Sequence, residues 1–200
     1  MQCFAIAEAI GPVSISELTI ERYCARQIEV DDTGAVAARL DAGLRAVVAV
    51  TLCSDEYCDP RIVVHCERGR AVLEYTTDRL RLPGDPGFRQ VPGRIGLLEN
   101  LLAHRAAPDE VPLVAPLDRT VPFTQVIEAI RTAGPPSPID AQWQATLAAG
   151  PDRVVTVPGI SAVLREAANR LKLPSELGVG WAIANSASAP RRAQQAQGHP

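Results

Sequence analysis

Lysine is almost missing from this chain. Of its 20 basic residues 19 are arginine, and Lys172 is the sole lysine. Lys172 stands beside Leu173-Pro174, so chemistry that needs a buried lysine has little to draw on. Net charge is only −3, so no basic footprint argues for a nucleic-acid partner. No apolar run approaches the roughly 20 residues of a membrane span. The opening Met1-Gln2-Cys3-Phe4-Ala5-Ile6 has no basic n-region, which argues against a signal peptide and for a reducing, cytoplasmic location. There is no G-x-G-x-x-G, P-loop, G-x-S-x-G or H-E-x-x-H. The nearest glycine pattern, Gly178-Val179-Gly180, has neither a third glycine nor a strand–helix context. A nucleotide-binding site is therefore not expected from these residues.

Metal-site spacing is also lacking. The five cysteines (Cys3, Cys24, Cys53, Cys58, Cys66) are odd in number and match no disulfide framework. Cys53 and Cys58 have no second pair of ligands nearby, so the thiols are read as small core residues rather than metal ligands.

What is present is ordinary globular material, with 46% apolar and 22% charged residues in 200. That length is enough for a proper core. Met1–Ile10 has a helical apolar period that Gly11-Pro12 should stop, and its uncapped start reads as a helix entered partway. From Val13 to Leu82 the pattern turns to strands. Val13–Arg22 is rich in Ile, Thr and Val. Ala35–Leu40 and Arg45–Leu52 flank a turn at Asp41-Ala42-Gly43, and Arg61–Cys66 and Ala71–Thr76 flank a second at Glu67-Arg68-Gly69-Arg70. Consecutive hairpins predict antiparallel pairing. Pro83–Pro92 reads as a loop. Helical periods follow at Ile95–His104 (stripe Ile95, Leu98, Leu101, Leu102) and Phe123–Thr132, with a short helix at Asp140–Ala149. Val154–Val157 is read as a last strand, and Ile160–Leu171 as a last helix. Asn185–Pro200 has no apolar period and reads as a disordered tail after a domain spanning 1–184.

The fold expected is α+β, an open, mostly antiparallel sheet with helices packed on one face. In Arg45–Leu52, Val47 and Ala49 alternate with Ala46, Val48 and Val50, so both faces are apolar there. Such a sheet needs cover on both sides, from a second domain or a second copy of the chain.

Few residues offer chemistry. His65 in a strand is better read as a hydrogen-bonded structural residue. His104 ends a helix, where a cation suits the terminus. Asp31-Asp32-Thr33 lies between strands, where turn hydrogen bonds are the expected role. Tyr57-Cys58-Asp59-Pro60 forms a strand-entry loop of the kind that often carries function.

A string of local motifs resembles the C-terminal domain of the glucose–fructose oxidoreductase/inositol dehydrogenase/MocA family. It starts with Ile28-Glu29-Val30-Asp31-Asp32-Thr33, then Asp59-Pro60-Arg61-Ile62 leading to Glu67-Arg68-Gly69. Leu98-Glu99-Asn100-Leu101-Leu102-Ala103-His104 follows, then Pro112-Leu113, Pro122-Phe123-Thr124, Ser175-Glu176-Leu177-Gly178 and Trp181. The resemblance covers about residues 5–182, and order and spacing carry it.

The resemblance implies a two-domain oxidoreductase whose Rossmann half binds NAD or NADP and whose C-terminal half shapes a pocket for a sugar- or polyol-like compound. It also implies subunit packing through the open sheet. The family's Glu-Lys-Pro and Asp-x-x-x-His motifs do not occur here, and Cys66 stands where a glycine is usual. The chain alone is therefore expected to bind no nicotinamide cofactor and to lack hydride transfer. By the same resemblance Tyr57, Asp59 and His104 are the candidate substrate-binding residues. Expected partners are a second copy, a sugar-like small molecule and a Rossmann protein acting in trans. The alternative reading is a stand-alone, non-catalytic sugar-binding or assembly module.

Overall fold

The computed structural model describes residues 2–11, 13–41, 43–149 and 152–182. The segment Asn185–Pro200, read above as a tail, lies outside the described residues. The chain divides into two compact units. One comprises Met1–Ala5 and Asp59–Gln125, the other Ile6–Cys58 and the chain from Val126 onward.

The larger unit is built on the first predicted hairpin. Strands β1 (Ile15–Cys24), β2 (Thr33–Leu40) and β3 (Arg45–Thr51) form an antiparallel meander. Gly43 at φ 76° supplies the left-handed residue that closes the β2–β3 turn. Much later in the chain, β8 (Ser137–Pro138) lies parallel beside β1 at Tyr23-Cys24, giving the order β3-β2-β1-β8. A separate hairpin joins β9 (Ala145–Ala149) to β10 (Asp152–Thr156). Asp140–Ala149 is thus not the expected helix. A single 3-10 turn, Ala141–Trp143, gives way to β9, because pairing with Val154 and Val155 outweighs the weak local preference of an alanine-rich stretch.

Helix α4 (Ile160–Arg170) follows β10 and packs over β3. Its buried residues Ile160, Leu164 and Ala167 recur at helical spacing, as the sequence predicts. They join Tyr23, Cys53, Ile139, Val157 and Trp181 in one core. Ala35, Ala37, Val47 and Ala49 line the covered face of the sheet with Leu173. On the opposite face Ala38 and Leu40 of β2 are buried, whereas β3 is exposed there, with Val48 45% and Val50 61% accessible. The expected two-faced apolar strand is present in β3, and among the described residues its outer face is left exposed at Val48 and Val50.

The smaller unit holds the second predicted hairpin. Strands β4 (Ile62–Cys66), β5 (Gly69–Glu74), β6 (Arg79–Arg81) and β7 (Arg89–Gln90) pair antiparallel in sequence order. Cys66 pairs with Gly69, so the turn shrinks to Glu67-Arg68. β7 falls inside the segment expected to be only a loop. The α+β class and mostly antiparallel pairing match expectation. The strands, expected in one open sheet, form three among the described residues.

Helix α2 (Leu97–Ala106) corrects a second expectation. Ile95, Leu98, Leu101 and Leu102, read as an inward stripe, are all exposed, and the buried residue is Asn100. Its side chain donates to Pro112 O at 3.0 Å and accepts from Val114 N at 2.8 Å. A polar clamp on the following loop, rather than the leucines, sets the helix face that turns inward. Helices α1 (Gln2–Glu8) and α3 (Val121–Thr132) complete the regular helices. No described helix is long and apolar enough to cross a membrane.

Candidate functional site

The loop that follows β3 is held by three bonds at its root. Leu52 N donates to Asp32 O, Cys53 N to Thr51 Oγ1, and Val157 N to Cys53 O, at 2.8, 3.0 and 2.8 Å. The Cys53 side chain is fully buried, which corrects the core reading of all five thiols: Cys58 and Cys66 are exposed. Burial, then the Asp32 carboxylate, pushes the Cys53 thiol up to about 12, so it stays protonated and inert at neutral pH.

Asp32 anchors this end of the sheet. Its carboxylate accepts from Ala25 N at 3.0 Å and Arg26 N at 2.9 Å. Asp31 meets Arg22 at 2.6 Å. Both acids of the Asp-Asp-Thr run therefore make the structural bonds expected of them.

Beyond Cys53 the loop is fastened to α4. The Ser54 and Ser161 hydroxyls lie 2.6 Å apart. One helical turn on, Arg165 donates to Glu56 Oε1 at 2.7 Å and to Cys58 Sγ at 3.0 Å. The Glu56 carboxylate holds the guanidinium above its ordinary range. Ser161 and Arg165 share a helix face because they are four residues apart. Arg165 thus grips the residues on both sides of Tyr57, and the ring between them is 87% exposed. A phenol presented in this way offers an apolar face and a hydroxyl to a ligand.

The sequence candidates are placed unequally. Tyr57 stands at the tip of this loop. Asp59 follows two residues on, half-buried, at the start of the smaller unit. His104 lies in the last turn of α2, and its Nδ1 is 2.7 Å from Val111 O. That bond gives the ring a local structural role. His65 lies in β4 opposite Arg70. Sequence reasoning missed Ser161 and Arg165. Their i, i+4 spacing on the polar side of a predicted helix was visible, but their target loop lies more than a hundred residues away.

The late motif residues also have local tasks. Glu21 accepts from Tyr23 Oη at 2.7 Å and from Ser175 N at 3.2 Å, and the Ser175 hydroxyl donates to it as well. Tyr23 meets Trp181 edge to face, centroids 5.2 Å apart. For Glu176, burial alone would raise the carboxyl, but Leu173 N at 2.7 Å and Arg45 at 2.8 Å outweigh it and lower it. Together these bonds hold residues 173–181 against the covered sheet face.

No family model matches the chain, and no curated protein matches it. Among solved structures, one described as "Structure of putative oxidoreductase from Thermotoga maritima" is 15% identical, with a TM-score of 0.47. The match covers 64% of this chain and 41% of that one, so the chain spans less than half of that protein's length.

Proposed function

We propose that the chain is the substrate-holding and subunit-packing half of a nicotinamide-dependent oxidoreductase acting on a sugar- or polyol-like hydroxy compound. The observation that carries this reading is the 53–59 loop. Two side chains of α4 hold it and present Tyr57, in the loop that by resemblance reaches substrate in polyol-oxidising relatives. An aromatic face suits the C–H side of a pyranose or cyclitol, and the phenol suits its hydroxyls. By the same resemblance Asp59 and His104, both in the smaller unit, are proposed as substrate contacts of that unit.

The cofactor that the resemblance implies is NAD or NADP, and the described residues do not fit it. A dinucleotide needs a strand, a glycine-rich turn and a helix within a parallel βαβ unit. The nearest arrangement is β10 leading to α4 through Val157-Pro158-Gly159. It has one glycine, and β10 pairs antiparallel with β9. We therefore assign no hydride-transfer step to these residues. The proposal places the cofactor and the proton-transferring groups on a Rossmann partner acting with this chain.

Calorimetric titration of the purified chain with a panel of cyclitols and aldoses tests the reading. Binding at about millimolar affinity, weakened at least about tenfold by Tyr57→Ala, is the expected result. If no polyol binds, the substrate-holding assignment fails. If nicotinamide dinucleotides bind the chain alone, the division of labour fails.

A further inference from the structure

The outer edge of β3 is a free hydrogen-bonding ladder, and its direction can be read from two bonds. Leu40 N donates to Leu44 O, and Leu52 N donates to Asp32 O. In an antiparallel ladder such pairs recur every second residue. Ala46, Val48 and Val50 therefore direct their backbone groups toward β2. Arg45, Val47, Ala49 and Thr51 direct theirs away from the sheet. The next residue in that outward series is Cys53, and its carbonyl is already bonded to Val157 N at 2.8 Å. Among the described residues no strand pairs with the other four, because β3 ends its sheet.

Natural sheets protect such edges with lysine, proline, a bulge or an inward charge. β3 has no lysine, proline or bulge, and its inward charge, Arg45, is its first residue and is paired with Glu176. Its ladder to β2 is regular from Thr33↔Thr51 to Arg39↔Arg45. The exposed side chains Val48, Val50 and Leu52 follow one another along the open face.

We infer that β3 pairs antiparallel with β3 of a second copy about a two-fold axis at Val48, joining two four-stranded sheets into one of eight. That register sets Val47 against Ala49 of the partner subunit and Arg45 against Thr51 of the partner subunit. It satisfies every free outward group on both strands with about eight hydrogen bonds. A register shifted by two residues would set Arg45 against Cys53, whose carbonyl is taken. The two Arg45 side chains fall at opposite ends of the seam, about 20 Å apart, so like charges do not meet. On the open face Val48 sits beside Val48 of the partner subunit, and Ala46 beside Val50, so the apolar strip runs unbroken across the seam. Hydrogen bonding and apolar surface are complementary to the strand's own sequence and its like charges are kept apart, which selects a second copy over an unrelated peptide. The inference rests on the backbone of β3 alone and is independent of any substrate.

Backbone amide exchange followed residue by residue by NMR, from about 1 µM to about 1 mM chain, tests it. The amides of Arg45, Val47, Ala49 and Thr51 should slow at least about tenfold as the dimer forms, while those of Val48 and Val50 stay constant. Val48→Lys and Val48→Glu should each be monomeric, because like charges then face each other across the axis, and a mixture of the two should dimerise. Circular dichroism unchanged from the parent shows that the variants fold. Three results would overturn the inference. One is a monomer throughout. Another is a dimer whose outward amides still exchange freely, which places the contact on the open face. The third is protection of those amides in a chain that sedimentation shows to be monomeric, which means that the edge is covered within one chain.

Discussion

The two four-stranded sheets among the described residues are stabilised by different forces. In the larger unit Ile160, Val157, Ile139 and Cys53 are almost fully removed from water beneath the sheet, and Trp181 closes the cluster. Among its buried polar residues, Asp32 and Thr33 are bonded at the margin of that core. In the smaller unit the interior is thin and partly ionic. Glu74 is buried between Arg61 at 3.2 Å and Arg79 at 2.7 Å. Arg94 meets Asp78 at 2.6 Å, and the guanidinium carbons of Arg79 and Arg81 both lie 5.1 Å from the Phe88 ring. Burial of apolar area scales with the area removed from water and is not screened by salt, whereas half-exposed ion pairs contribute little and are screened. The difference predicts a robust larger unit and a smaller unit whose order depends on solution conditions.

The sharpest way to break this comparison is to cut into each interior. Ile160→Ala should cost about 2–5 kcal/mol, because the side chain is completely buried and a cavity would remain. Chemical denaturation followed by tryptophan fluorescence reads the loss directly, since Trp181 reports on that core. A cost below about 1 kcal/mol would mean that the larger unit is not held by its core.

Next in size is the ionic interior. Glu74→Gln keeps the shape and removes the charge, leaving Arg61 and Arg79 without a counter-ion. An effect of about 1–3 kcal/mol is expected, read as faster amide exchange across β4, β5 and β6. High salt should speed exchange in the parent protein's β4–β6 and leave β1–β3 unchanged. Equal response of both sheets would erase the distinction.

The smallest effect at neutral pH concerns Cys53. Its folded thiol is raised to about 12 from the ordinary 9.0, first by burial and then by Asp32. Below pH 9 both folded and unfolded thiols are protonated and the contribution is fully present. Above that the unfolded chain ionises first, so stability falls as pH rises toward 12. Cys53→Ala should flatten this alkaline slope, measured as unfolding midpoint against pH, and leave the neutral range shallow as before. An unchanged slope would assign the alkaline loss to other groups.

Much of the architecture was legible in the residues. Alternation at Arg45–Leu52 located β3 and showed that both of its faces are apolar. Ile160, Leu164 and Ala167 at helical spacing located α4 and its buried side. The Asp31-Asp32-Thr33 turn also took the structural role expected of it. What failed was local pattern without its partner. Asp140–Ala149 resembled a helix until β10 paired with it. The leucines of α2 gave a clean stripe, yet Asn100 with Pro112 and Val114 fixed which side turned inward. In the candidate site, Tyr57 could be named from its loop, but the grip of Arg165 on Glu56 and Cys58 could not.

The sequence by itself determined which segments are strands and helices over most of the chain, that pairing is mostly antiparallel, and that both faces of β3 are apolar. Those properties follow from spacing over a few residues, where backbone geometry and side-chain period leave little choice. The tertiary structure alone decided that the strands divide among three sheets, that β3 ends one of them, and that α4 holds the Tyr57 loop. Each of those depends on contacts between residues far apart in the chain, and no local period encodes them.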